Sequence, residues 1–129
     1  MLVLIDFLYV MLGGALGAAL RYAVTLLTEW ASPLPGYSWV ATLVVNILGS
    51  FAIGYLSACG LSHHSTRLVG RPFFVVGLCG GFTTFSTFAL DLYGHYSRGA
   101  VGMMILYLVA SVALSVLALL AGLWAGSRS

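Results

Sequence analysis

Charge is what this chain of 129 residues most conspicuously lacks: only 6% of its side chains are charged, while 61% are hydrophobic. A water-facing domain carries roughly 25% charged residues, because a folded surface has to be wetted. Eight formal charges cannot wet a surface of this size, so lipid is expected to be the main solvent. Each spanning segment must then satisfy its own backbone, which a helix does. The net charge of +2 is too small and scattered for a nucleic-acid footprint. Carboxylates are scarcer still: Asp6, Glu29 and Asp91 are all there are, which excludes most acid–base and metal chemistry and makes an enzyme unexpected. His63 and His64 are adjacent, with no second ligand pair at metal spacing, and read as solvated surface residues. Cys59 and Cys79 lack C-x-x-C spacing and read as buried thiols. No Lys or Arg precedes the first apolar run, and the run outlasts a signal's apolar core, so a secretory signal is not expected.

What the chain has is apolar length. A helix needs about 20 apolar residues to cross a bilayer core. Four segments qualify, at about residues 2–27, 39–59, 72–95 and 100–125, giving a single all-α membrane domain over 1–129. The two prolines within 31–36 and the polar run 62–67 separate them. Pro72 suits a first helical turn. With four spans, Arg67, Arg71 and Arg128 fall on one side of the membrane and Arg21 and Arg98 on the other. That is almost no positive-inside bias, so the chain could insert both ways and pair as an antiparallel dimer. One small bundle has little interior, and a pore is more easily lined by two copies. The small-residue pairs Gly13/Gly17 and Ser50/Gly54 suit such close helix contacts.

The third span is poor material for a continuous helix. Gly80-Gly81 is followed by Thr83, Thr84, Ser86 and Thr87, whose hydroxyls compete for backbone partners. A break is expected near the bilayer midplane, where irregular backbone is tolerated only if buried in protein or lining a wet cavity. Freed carbonyls there could hold a cation, and a half-helix N-terminus favours an anion. On the second span Thr42, Asn46 and Ser50 share a face, and an amide at that depth needs a partner. On the fourth, Tyr107, Ser111 and Ser115 recur every four residues. Together they read as walls of a narrow polar path. Arg21 either snorkels or supports a neighbouring helix through its carbonyls.

The run Gly80-Gly81-Phe82-Thr83-Thr84-Phe85-Ser86-Thr87-Phe88 resembles the signature of the Fluc (CrcB) fluoride channels. The likeness extends to Gly17-x-x-x-Arg21, Asn46-x-x-Gly49 and Tyr107-x-x-x-Ser111-x-x-x-Ser115, and so covers nearly the whole chain in order. It implies a dual-topology antiparallel homodimer with two pores, passive fluoride export and fluoride resistance, in a prokaryotic inner (cytoplasmic) membrane. It also implies that Phe85 and Phe88 turn ring edges to fluoride, which the positive edge of an aromatic ring allows. Asn46 would donate an N–H to the ion, with Tyr107, Ser111 and Ser115 as a polar track and Thr42 and Thr84 as further members. Gly80 and Thr83 would give backbone carbonyls to a structural sodium ion at the dimer interface, with Arg21 structural. Asp91 stands where some members carry Glu, and Phe82 is expected only to pack. Two other readings compete. A small multidrug transporter needs a membrane-embedded carboxylate, and the centre of the first span has none. A non-transporting assembly subunit leaves Asn46 and the Thr/Ser run without a purpose.

Overall fold

A computed structural model describes residues 2–31, 38–61 and 70–128; the expected loops, with His63, His64 and Arg67, lie outside these. The described residues are all helical apart from short turns and the extended pair Thr83 and Thr84. Helix α1 is Leu2–Ala31, a turn longer than expected, and α2 is Ser38–Leu56, continued by a wider turn over Ser57–Leu61. Helix α3 runs Gly70–Cys79 with π-type winding and continues as Gly80–Phe82; α4 is Phe85–Ser97 and α5 is Val101–Gly126. Counting α3 and α4 as one span, four helical segments among the described residues are long and apolar enough to cross a membrane.

Side chains sort in the manner of a lipid-solvated protein. Leu4, Phe7, Met11 and Leu12 of α1 and Leu106, Val109 and Leu117 of α5 face outward, whereas Thr42, Thr84, His95 and Ser111 are buried. The apolar core is thin, little more than Ala41, Val45, Cys79, Phe88 and Tyr107. Lipid offers the outer face no reason to hide, so the helices are held by close backbone approach and by polar contacts.

Two glycine seams supply that approach. In the first, Gly13 lies against the Phe73 carbonyl and Gly77, and Gly17 against the Leu78 carbonyl and Gly81, joining α1 to α3. In the second, Gly54 meets the Leu119 carbonyl on α5, and Gly122 meets the Phe51 carbonyl on α2. The sequence pairs expected to join two copies therefore work differently: Gly13, Gly17 and Gly54 pack helices within one chain, and Ser50 lines a groove described below. Between α4 and α5 the chain turns on Gly99, at φ +72°, a left-handed conformation that glycine adopts freely. There the Ala100 N–H donates to the His95 carbonyl at 3.0 Å and the Gly99 N–H to the Tyr96 carbonyl at 2.9 Å. This paired pattern caps the helix and sets α5 directly beside α4.

A valine at position 17 would drive its Cβ into the Leu78 carbonyl, which backbone cannot yield cheaply. Gly17→Val is expected to destabilise the fold by at least about 1–3 kcal/mol, seen as a lower half-aggregation temperature in detergent. Gly102→Ala, with nothing near its added methyl, should leave that temperature unchanged or slightly raised.

Candidate functional site

The third span is interrupted at two threonines. Phe82 ends α3, Thr83 (φ −82°, ψ 158°) and Thr84 (φ −150°, ψ 124°) are extended, and Phe85 begins α4. Gly80 and Gly81 remain helical, so the interruption lies after the glycine pair rather than on it. The reason is Asn46. Its Oδ1 accepts the Thr84 N–H at 2.8 Å, and its Nδ2 donates to the Thr84 carbonyl at 3.0 Å. One side-chain amide thus serves both backbone groups of one extended residue, as a neighbouring strand would. Three residues on, Gly49 clears the space in which the Thr83 methyl sits; any Cβ there would overlap it. Phe82 packs at the same crossing, its ring edge near Gly49 and its N–H near Gly17.

The restart is equally specified. Thr84 Oγ1 accepts from the Thr87 N–H at 3.2 Å, capping α4, and lies 3.1 Å from Thr87 Oγ1 and 3.3 Å from Ser86 Oγ. On the other side of the break, Thr83 returns both its N–H (3.0 Å) and its hydroxyl (2.9 Å) to the Cys79 carbonyl. The Gly80 carbonyl would ordinarily accept from the Thr84 N–H four residues ahead, but Asn46 takes that donor. Gly80 is exposed, with open space around it. Neutral carbonyls left without donors at a helix end are a fitting donor set for a hard monovalent cation.

A groove of about 350 Å³ opens beside the break. Asn46, Ser50, Ser111 and Ser115 make its polar wall; Thr83 and Thr84 its end; Phe85 and Phe88, with Ile53, Val112 and Val116, its apolar side. Of the residues read from the sequence as a path, Asn46, Thr84, Phe85, Phe88, Ser111 and Ser115 are brought together here. The two phenylalanines differ sharply. Phe85 is 80% exposed and stands at the open side, whereas Phe88 is 6% exposed and built into the wall, with ring centroids 5.7 Å apart.

Tyr107 and Thr42 sit elsewhere. Tyr107 is buried behind Phe88, centroids 5.3 Å apart, and its hydroxyl donates to Asp91 Oδ2 at 3.3 Å. Thr42 lies with Arg21, Thr84 and Thr87 on a second cavity of about 230 Å³, between α1, α2 and the break, so Thr84 borders both spaces. Arg21 therefore faces inward, half-buried. Sequence reasoning left Asp91 without a role and overlooked Trp39 and His95, whose rings flank Tyr107 at 5.5 and 5.9 Å. The four-residue step from Asp91 to His95 was the available signal, since it puts both on one face of α4. Among the described residues no cluster of three or more His, Cys, Asp or Glu could hold a metal.

Replacing Asn46 by alanine would leave the Thr84 N–H and carbonyl unpaired where water is scarce. Asn46→Ala is expected to cost about 1–3 kcal/mol for each group left unmet. The sharper readout is amide hydrogen exchange at Thr84, which should quicken markedly in the variant. Unchanged exchange there would sink the clamp.

The family model described as "CrcB-like protein, Camphor Resistance (CrcB)" matches residues 8–123. A protein of Agrobacterium fabrum named fluoride-specific ion channel FluC is 41% identical over 125 residues, covering 95% of this chain and 97% of its own. A Paracoccus denitrificans protein of the same name is 45% identical over 120 residues, covering 93% of each. One of Nocardia farcinica, fluoride-specific ion channel FluC 2, is 45% identical over 93% of this chain and 81% of its own. These relatives are named as ion channels and not as enzymes, in line with the shortage of catalytic side chains. The resemblance carried by the signature run in the third span is borne out: the chain belongs to the CrcB-like family.

Proposed function

We propose that this protein is a fluoride-selective channel that lets accumulated fluoride leave a prokaryotic cell passively through the cytoplasmic membrane. The observation that carries the reading is the groove, which combines amide, hydroxyl and aromatic contacts at a backbone break and contains no charge. Fluoride is small and holds its water tightly, so a path must replace water with small, close donors. Asn46 has a second amide hydrogen beyond the one given to Thr84. Ser111 and Ser115 add hydroxyls, and the edges of Phe85 and Phe88 present the positive rim of the ring quadrupole. Each contact is individually modest, as conduction requires: strong enough to admit an ion, weak enough to release it. The break also places a half-helix N-terminus, that of α4, beside the groove, and the positive end of a helix dipole favours an anion.

The conducting unit in this reading is an antiparallel, dual-topology homodimer with two pores. Support comes from the near-even split of arginines and from Phe85, a large ring left 80% exposed at the open side of the groove. A second copy would close that side. A sodium ion on the two-fold axis would be held by the Gly80 and Thr83 carbonyls of both copies, fixing the breaks against each other without a carboxylate. Acid surroundings deliver fluoride as HF, which crosses lipid and dissociates inside, so an exit for the anion protects the cell.

Liposomes holding only this protein should lose fluoride rapidly by electrode and retain chloride. Phe85→Ile and Phe88→Ile should each slow fluoride loss by about tenfold or more, equal to about 1.4 kcal/mol on the barrier. Well-folded protein without fluoride loss would end the channel reading.

Dual insertion has its own test. With Cys59 and Cys79 replaced, Ser97→Cys should react with a membrane-impermeant maleimide on intact spheroplasts to about half, since balanced charge leaves orientation undirected. Complete labelling, or none, would mean a single orientation.

A further inference from the structure

One buried titratable group lies outside the groove and has no part in the path described above. His95, near the end of α4, is 6% exposed, and its Nε2 is buried with no hydrogen-bond partner among the described residues. Its Nδ1 lies 3.4 Å from Nη2 of Arg98. A guanidinium only donates, so Nδ1 accepts and the neutral ring carries its proton on Nε2, a tautomer assigned from the partner. The ring meets Trp39 of α2 edge-on at 5.8 Å and Tyr107 of α5 at 5.9 Å. Trp39 and Tyr107 meet each other at 5.5 Å, so three helices share one aromatic block. Around His95 the charged and titratable groups are Arg98 from the following turn, Asp91 one turn earlier on α4, and Tyr107 from α5. From α2 comes the uncharged Trp39.

We propose that His95 is a proton-responsive positioning residue: neutral, it seats Tyr107 against the wall of the groove, and protonated, it releases Tyr107 and lowers conduction. The inference rests on the channel reading. A second proton can go only to Nδ1, the atom that Arg98 addresses. Its arrival removes the acceptor and sets two cations against each other, while Nε2–H stays buried without an acceptor. A buried charge with neither donor satisfied is among the costliest arrangements a fold can hold. The ring escapes by turning out of the block, and the space it leaves lets Tyr107 shift. Tyr107 joins this block to the groove: it packs on Phe88 at 5.3 Å and donates to Asp91 at 3.3 Å. A new cation could instead draw fluoride in. Arg98 already provides a cation at this end, however, and the two repel, so little positive charge accumulates. Displacement of Tyr107 decides the sign.

The test is fluoride current through the purified chain in planar bilayers, stepped from about pH 8 to about pH 5.5. Current should fall severalfold and reversibly, and His95→Phe, which keeps a ring but cannot titrate, should carry a current independent of pH. His95→Gln serves the same purpose should the phenylalanine variant fail to fold. In a Trp30→Phe/Trp124→Phe background, Trp39 emission should titrate with His95 present and not without it. A wild-type current indifferent to pH, or an equal fall in both variants, overturns the proposal. A chain that carries no fluoride at any pH would sink the channel reading instead, and Trp39 emission then decides alone. A titration lost with His95 upholds the device; a flat one overturns it.

Discussion

The pairing of the Asn46 amide with the Thr84 backbone is the contact on which the rest of the site depends. An interrupted helix in lipid exposes backbone groups that no water can meet, and each costs several kcal/mol unless something in the protein meets it. A single asparagine does so for Thr84, accepting from its N–H and donating to its carbonyl. Asparagine is the shortest side chain that offers a donor and an acceptor side by side, and so can stand in for a strand. A carboxylate only accepts and would leave the carbonyl unmet, and a hydroxyl carries both roles on one atom rather than side by side.

Several features are consequences of that one pairing. Diverting the Thr84 N–H leaves the Gly80 carbonyl without its helical donor. Holding Thr84 extended turns its hydroxyl towards Thr87, where it caps α4. Starting α4 afresh at Phe85 resets the helical phase, so Phe85 projects to the open side while Phe88, three residues on, is buried in the wall. Gly49 makes the pairing sterically possible from α2. The two glycine seams hold α1 on α3 and α2 on α5. The groove is therefore not a gap between helices but the space created when one helix is stopped and restarted beside another.

Much of this was legible in the sequence, and the boundary of legibility is physical. Apolar runs between prolines and polar stretches mark spanning helices because lipid enforces one rule on every residue, so the four spans were readable to within a turn or so. Asn46, Ser111 and Ser115 stood out because polar groups at such depth need a reason. The glycine pair Gly80-Gly81 was a weaker guide: glycine lowers helix stability but does not choose where a helix stops. The stop was decided by Asn46, far away in sequence, and fell on Thr83 and Thr84. The role of Gly13 and Gly17 within one chain was equally beyond reach, since a close-approach motif says that a backbone comes near and not which one.

Tyr107 shows what spacing alone leaves open about a residue. Its four-residue step to Ser111 puts both on one face of α5, yet a tyrosine reaches much further than a serine. The hydroxyls of Ser111 and Ser115 stop at the groove, whereas the Tyr107 ring runs past it, behind Phe88, and delivers its hydroxyl to Asp91. A periodic stripe therefore fixes direction, not depth. Depth here is set by what the ring meets, and what it meets is a block of Trp39 and His95 from two other helices. Such a block has no periodic signature, because its members lie on three helices. Position on the α4 face nevertheless links Phe88, Asp91 and His95 at three- and four-residue steps, so groove wall, carboxylate and imidazole form one continuous edge. Any change that moves one of them acts on a ring already in contact with the next, and the wall of the path is thereby tied to the chemistry at the end of the helix.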